Sequence, residues 1–469
     1  MTTKYGGFKA SQATPDEIIA FARLMRGKSL RELVPASGLL GESRRSDKGA
    51  VGQLVERAFG LPRSNRQGPD FEHAEVELKA VPLKRGNRTV RTKERTNITM
   101  IDYATLVDET WARAKVRNKL EKILFVFYFH IDNQDALDAV VEETVLWTPS
   151  EDLLPQMERD WSVVRQKVID GLAHKISEAD GLVLGAATKG AGGGKLVSQP
   201  HNPGERAKSR AWALKPSLTT WLYEKEAGCA KAIVSLGDTL GLQKDQDFES
   251  IVIERLSAFQ GLSLEQVARR LKVPISKAKS GAAILVRRAI GVIDNAAAIS
   301  EFRERGIRIK IVPVALNGRP YEAMSFPAFN HMEVWKEEWE ESDLLEHLNR
   351  LLIIPLIRPE RTTPKDEQRW GPAFFWSPSA DQLQGIEAEW RDYVSRIEAG
   401  ESRALPSSAS TNFIHVRPHA RDSGDIEPAP KVGNVVKKSF WLNTAFLTTL
   451  IRHHGVDTLP IRNTKRSTR

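Results

Sequence analysis

The sequence predicts two tandem α/β domains, each a mixed sheet flanked by helices. Three observations carry that expectation. At 469 residues the chain exceeds what one compact core usually holds. Helix and strand signals alternate along it. It also matches itself once, at a nearly constant offset: "KGAVGQLVERAFGL" at Lys48 to Leu61 falls on "KSGAAILVRRAIGV" at Lys279 to Val292, and "EVELKAVP" falls on "GIRIKIVP" without a gap, both displaced by 231.

The elements justify themselves in chain order. "TPDEIIAFARLM" reads as a helix with Thr14 as cap, Pro15 at its first position and Glu17 closing a capping box; Ser29 and Glu32 repeat the device. "DKGAVGQLVERAFG" reads as an amphipathic helix from Asp47 that stops at Gly60. A polar loop follows, then the strand within "GPDFEHAEVELKAVPL", and further strands at "KILFVFYFHI" and "ETVLWTP". "LWTPSED" then matches "FWSPSAD", Trp161 matches Trp390 and "AWALKPSLTT" matches "FWLNTAFLTT", each displaced by 229. The expected domains are residues 1–223 and 251–469, joined by 224–250. "SLEQVARRLKVPISKAKSGAAILVRRAIG" has the outline of a helix-turn-helix, but its counterpart in the first half is the helical entry to a strand domain, so it is assigned that role again.

An apolar share of 41% and a charged share of 28% suit a globular protein, and the runs "ILFVFYF" and "LLIIPLI" are too short to span a bilayer. The N-terminus lacks the layout of a secretory signal and the one cysteine, Cys229, has no internal partner, so a reducing, cytoplasmic setting without a membrane is expected. A net charge of +9 points to a polyanion, because Lys and Arg gain binding energy by releasing counterions condensed on nucleic acid.

The chemistry concentrates after the third helix. Alternation along a strand puts Glu75, Glu77 and Lys79 on one face, neighbours about 7 Å apart, and Val76, Leu78 and Ala80 on the other. Asp70 stands a short loop upstream and Glu56 on the preceding helix. Converging carboxylates hold Mg²⁺, a hard cation that also binds phosphate oxygens. Lys79 beside such a cation can orient water, stabilise developing charge or accept a proton. A solvated face of charge pairs would produce the same string, so context has to decide.

Pro69-Asp70 followed by Glu77-x-Lys79 reproduces the PD-(D/E)XK nuclease signature, and "DKGAVGQLVERAFG…PDFEHAEVELKAVPL" resembles the MutH family of DNA endonucleases. The resemblance implies a restriction-endonuclease-like α/β fold in each half. It also implies a Mg²⁺ site made by Glu56, Asp70 and Glu77, with Lys79 and a further lysine, Lys119, as catalytic partners. "TKGAGGGKLVSQP", "EAMSFPAF" and "FIHVRPHARDSGD" resemble segments of tandem-MutH type II restriction endonucleases that cut at GATC. Double-stranded DNA is then the implied substrate; cutting both strands needs two protomers or two successive nicks, and a homodimer on a palindromic site is the expected arrangement. A mismatch-repair nickase and a catalytically silent DNA-binding protein are the alternatives.

In the second half, Arg287, Glu301, Arg308 and Lys310 stand where Glu56, Asp70, Glu77 and Lys79 stand in the first. Two arginines would repel Mg²⁺ and either attract phosphate or pair with Glu301, so this copy is expected not to catalyse; the resemblance implies that it binds another DNA copy and regulates cutting. DNA contacts are expected from Lys84, Arg85, Arg88, Arg91, Lys93 and Arg95 just past the strand. The resemblance adds Lys189 in "TKGAGGGK"; Arg417 and His419 in "HVRPH", and Lys437 and Lys438, are further candidates. His415 and His419 lack the partners of a zinc site.

Overall fold

Thr14 closes the first helix, Pro15–Leu24, by the expected reciprocal device: the Glu17 amide donates to Thr14 Oγ1 at 3.3 Å and the Thr14 amide to Glu17 Oε2 at 2.8 Å. Ser29 and Glu32 do the same for Leu30–Leu33. The third helix, Ala50–Ala58, follows Gly49 at φ 106° and is terminated at Gly60 at φ 72°, where a left-handed backbone ends the helix at little cost. The computed structural model describes residues 8–34, 49–62, 68–86, 89–189, 195–230, 232–241, 247–275 and 281–456. Asp47, expected at the start of the third helix, lies outside them. The chain divides into two compact units, residues 1–231 and 232–469. Within the expected joint, one helix ends at Glu226, a short strand covers Ile233–Val234 and a helix covers Leu236–Leu240.

In the first unit the strand Glu77–Arg85 runs parallel to Ile123–Phe129, with Glu77 opposite Ile123 and Lys79 opposite Phe125. Val90–Thr92 and Val141–Trp147 flank this pair antiparallel. Ile123–Phe129 is apolar on every residue because both faces of the sheet are covered. Val76, Leu78, Leu124 and Val126 bury against the first three helices. Val81, Leu83, Phe125 and Phe127 bury on the opposite side, against Leu154–Ile169 and a second sheet in which Arg210–Leu214 lies between Thr96–Met100 and Leu184–Thr188. Phe125 and Phe127 are fully buried, each contributing about 1.5–3 kcal/mol of apolar burial. Glu77 and Lys79 alternate in step with Val81 and Leu83, so a face that is core along the strand becomes polar at its start.

One expectation fails here. Glu75 does not share the face of Glu77 and Lys79; it is exposed in a turn before the strand, at φ 54°.

The second unit repeats the plan. Its helix Gly281–Ala289 and strand Ile307–Val314 occupy the positions the repeat assigns them, and that strand runs parallel to Arg350–Ile357. Lys438–Leu442 lies between Met324–Ala328 and Ile414–Pro418, matching the second sheet of the first unit. Leu264–Leu271 and Gly281–Ala289 bury Val267, Ala268, Leu285 and Val286 in one cluster with Leu352 and Ile354 of the sheet, which is the entry-helix role expected of them. No helix among the described residues is long and apolar enough to cross a membrane.

Candidate active site

A tight turn builds the site. The Phe71 amide donates to the Val76 carbonyl at 2.9 Å and the Val76 amide returns the bond at 3.2 Å, folding residues 72–75 into a small hairpin. Phe71 is buried, packed edge-on to Phe59 with ring centres 5.4 Å apart, which anchors the hairpin in the core. Asp70, just before it, is thereby carried back to the strand, where its Oδ2 accepts the Leu78 amide at 2.8 Å. Successive strand amides point to opposite edges: the Glu77 amide bonds to the Lys122 carbonyl just before the parallel neighbour, so the Leu78 amide faces the edge that, among the described residues, no strand covers before Leu83. Asp70 satisfies it.

Glu77 is 1% exposed and takes two cations: Lys79 Nζ lies 2.6 Å from Oε1, and Lys119 Nζ lies 2.9 Å from each oxygen. Lys119 comes from Lys115–Leu120, whose Val116 and Leu120 bury in the core behind the site. Burial, and then the charge of Glu77, raise the Asp70 carboxyl above its usual range; Lys79, the Leu78 amide and Lys119 pull the other way. Two acids crowded into a partly desolvated corner form a hard-oxygen donor set, and Mg²⁺ commonly takes one or two protein carboxylates with water and phosphate completing its shell. The residues present fit that ion. Glu56 is half-buried on Ala50–Ala58, which packs on the same strand. Among the described residues no group of three or more acids, histidines or cysteines is assembled to hold a metal, so Asp70 and Glu77 are the pair that the fold draws together.

The second unit uses the same positions differently. Glu301 is buried and accepts the amides of Leu236 at 3.0 Å and Gly237 at 2.8 Å and the Ser235 hydroxyl at 2.9 Å, fastening the start of Leu236–Leu240. Arg308 pairs with Glu346 at 3.3 Å, not with Glu301. Arg287 donates to the carbonyls of Asp294 and Ala297. Lys310 donates to the Ser325 carbonyl at 2.7 Å and lies 4.8 Å from the Phe326 ring centre; burial, reinforced by Arg308, lowers its pKa to about 8.

The expected DNA contacts separate into kinds. Arg85 is exposed with its guanidinium 4.0 Å from the Phe129 ring centre, Lys84 is half-buried, and Arg88 lies outside the described residues. Arg95 leaves the group, because it is buried against Glu178 at 2.7 Å. Lys189 follows Leu184–Thr188, its amide held by the Ser209 carbonyl at 2.8 Å, while the glycine run after it, residues 190–194, lies outside the described residues. Arg417 is exposed and 5.0 Å from the Trp441 ring centre; His419 bonds through Nδ1 to Ser439 at 2.7 Å. Lys437 lies 2.7 Å from Asp425, and Lys438 donates to the Ser402 carbonyl at 2.7 Å. His415 is buried and bonded to Asn443.

Sequence reasoning missed two acids. Asp160, buried, accepts the amides of Val183 at 2.8 Å and Leu184 at 2.9 Å; Glu389 accepts those of Ile414 at 2.8 Å and Phe413 at 3.1 Å. Each secures the strand leading to Lys189 or to Arg417. The available signal was an acid directly before the repeated tryptophan, Asp160-Trp161 and Glu389-Trp390.

The family described as DNA mismatch repair enzyme MutH matches twice, at residues 59–160 and 291–389. The first match includes Asp70, Glu77, Lys79 and Lys119, and the second includes Glu301, Arg308 and Lys310. The chain is 27% identical to the type II restriction enzyme Sau3AI of Staphylococcus aureus over 90% of this chain and 95% of that one. It is 28% identical to the DNA mismatch repair protein MutH of Vibrio cholerae and 27% identical to that of Shewanella woodyi, each over 46% of this chain and 98% or 94% of the relative. Two regions of one polypeptide are thus each similar to MutH, the first carrying the Asp70, Glu77 and Lys79 string and the second Arg308 in the place of Glu77, and the chain is a tandem of two MutH-like α/β domains.

Proposed function

We propose that this protein is a site-specific endonuclease that hydrolyses phosphodiester bonds of double-stranded DNA, a type II restriction enzyme whose chemistry resides in the first unit. The observation carrying this reading is the junction of Asp70, Glu77, Lys79 and Lys119 at the start of one buried strand. Similarity to a restriction enzyme over nearly the full length of both chains favours restriction over repair.

Mg²⁺, when bound by Asp70 and Glu77 with Glu56 as the nearby acid, supplies charge neutralisation at the scissile phosphate and acidifies water. Lys79 is the more exposed ammonium, 20% against 10% for Lys119, and stands where it can orient the attacking water and offset charge gathering on the phosphate. Lys119 holds the Glu77 carboxylate in one orientation. The Leu78 amide does the same for Asp70, so neither acid has to be reorganised when DNA arrives.

The second unit supplies DNA contact without hydrolysis, since Arg308 and Arg287 replace two of the acids. Recognition of GATC rests on resemblance to restriction enzymes of this type, and two chains meeting on the palindrome would give a double-strand break. Incubating the purified protein with Mg²⁺ and supercoiled plasmid tests the reading. Linear product that depends on GATC sites supports restriction. Open circles alone would turn the assignment to a nickase, and intact supercoils with retained DNA binding would remove the enzymatic reading. Digesting methylated and unmethylated plasmid in parallel defines which modification protects.

A further inference from the structure

The turn that returns Asp70 to the strand closes on a residue of unusual backbone. Glu75 has φ 54° although it is not glycine, and its neighbours leave it no freedom to relax: Ala74 and Val76 are both buried in the core, and Val76 exchanges two hydrogen bonds with Phe71. The Glu75 amide itself bonds to the Glu72 carbonyl at 3.4 Å, so the loop is a four-residue hairpin turn whose last member reverses into the left-handed region. That reversal puts Val76 back onto Phe71 and, one residue further out on each arm, Asp70 level with Glu77. The Glu75 side chain is exposed, and no pairing through it enters the site geometry described above.

We propose that Glu75 is a positioning residue for the Asp70 and Glu77 carboxylates, acting through its backbone conformation and not through its charge. The inference rests on the nuclease reading of that pair. The left-handed conformation sets where Asp70 stands, and a residue that resists it opens the hairpin and draws Asp70 off the Leu78 amide. Side chains tolerate the region unequally: glycine adopts it freely, asparagine readily, alanine less so, and a β-branched residue poorly.

The test compares Glu75→Gly, Glu75→Asn, Glu75→Ala and Glu75→Val in the full chain. All four remove the carboxylate, so a role for its charge would make them alike. Positioning through the backbone makes them differ: the Gly and Asn variants keep the wild-type cleavage rate and Mn²⁺ affinity measured by calorimetry. The Val variant cuts roughly 100-fold more slowly, the scale of loss produced by misplacing a reacting group by about 1 Å. It binds Mn²⁺ more weakly and keeps wild-type DNA affinity in chelator. The Ala variant falls between them, which preserves the comparison if the Val variant does not fold. Equal cleavage and Mn²⁺ binding in the Gly and Ala variants would overturn the proposal. A wild-type protein that neither binds Mn²⁺ nor cuts overturns the nuclease reading first, and this inference with it.

Discussion

Lys119 donates to both carboxylate oxygens of Glu77, at 2.9 Å each, from a helix that precedes the parallel neighbour of the Glu77 strand. In the second unit, Arg308 stands in the place of Glu77 and pairs with Glu346, from the helix Asp343–His347. Strand acid and helix base have become strand base and helix acid. An ion pair joins strand and helix in both units, with its charges exchanged.

Replacing Asp70 by Ala is expected to lower cleavage on the order of 1,000-fold, the scale associated with losing a principal electrostatic group. DNA affinity measured in chelator should be unchanged. Plasmid digestion beside a binding titration checks both; cleavage at the wild-type rate would refute the site.

Lys119→Met leaves Glu77 buried with Lys79 still 2.6 Å away. Losing one hydrogen bond to a charged group that keeps another partner costs about 1.5–3 kcal/mol. Chemical denaturation should show that loss alongside slower cutting.

Arg308→Ala should leave the hydrolytic rate on saturating DNA unchanged. Its pair with Glu346 is 35% exposed on the arginine side, so a double-mutant cycle should return a coupling of only about 0.2–1 kcal/mol.

Lys310, lowered to about 8 by burial and then by Arg308, gives a pH signature. Between about pH 8 and its usual value of 10.5 the unfolded chain binds more protons at this lysine than the folded one, so the lysine's contribution to stability rises with pH across that window. The melting temperature of Lys310→Met minus that of wild type should therefore fall as pH is raised from 8 toward 10.5. A difference that stays constant would contradict the depressed value.

Arg417→Ala should weaken DNA binding and reduce the slope of log affinity against log salt by about one, as expected for a lost phosphate contact. A slope equal to that of wild type would remove Arg417 from the interface.

The repeat, the capping boxes and the Asp70, Glu77, Lys79 string were legible in the chain because each depends on local spacing or on identity at a constant offset. Alternation correctly separated Leu78 and Ala80 from Glu77 and Lys79, yet misplaced Glu75, since periodicity cannot register that a strand has not begun and that the backbone has turned left-handed. Arg95 read as one more cation in a basic run. Its partner, Glu178, is 83 residues away, and only folding could reveal the pair.

The sequence by itself determined two α/β copies of one domain, one retaining acids and the other arginines at matching positions, because composition and offset are properties of the chain alone. Tertiary structure decided which charges meet: Lys119 with Glu77, Arg308 with Glu346, Glu301 with the start of a helix, and Asp160 with the amides of Val183 and Leu184. The physical reason is that a buried charge must find a partner, and that partner comes from whichever distant element the packed core brings alongside it.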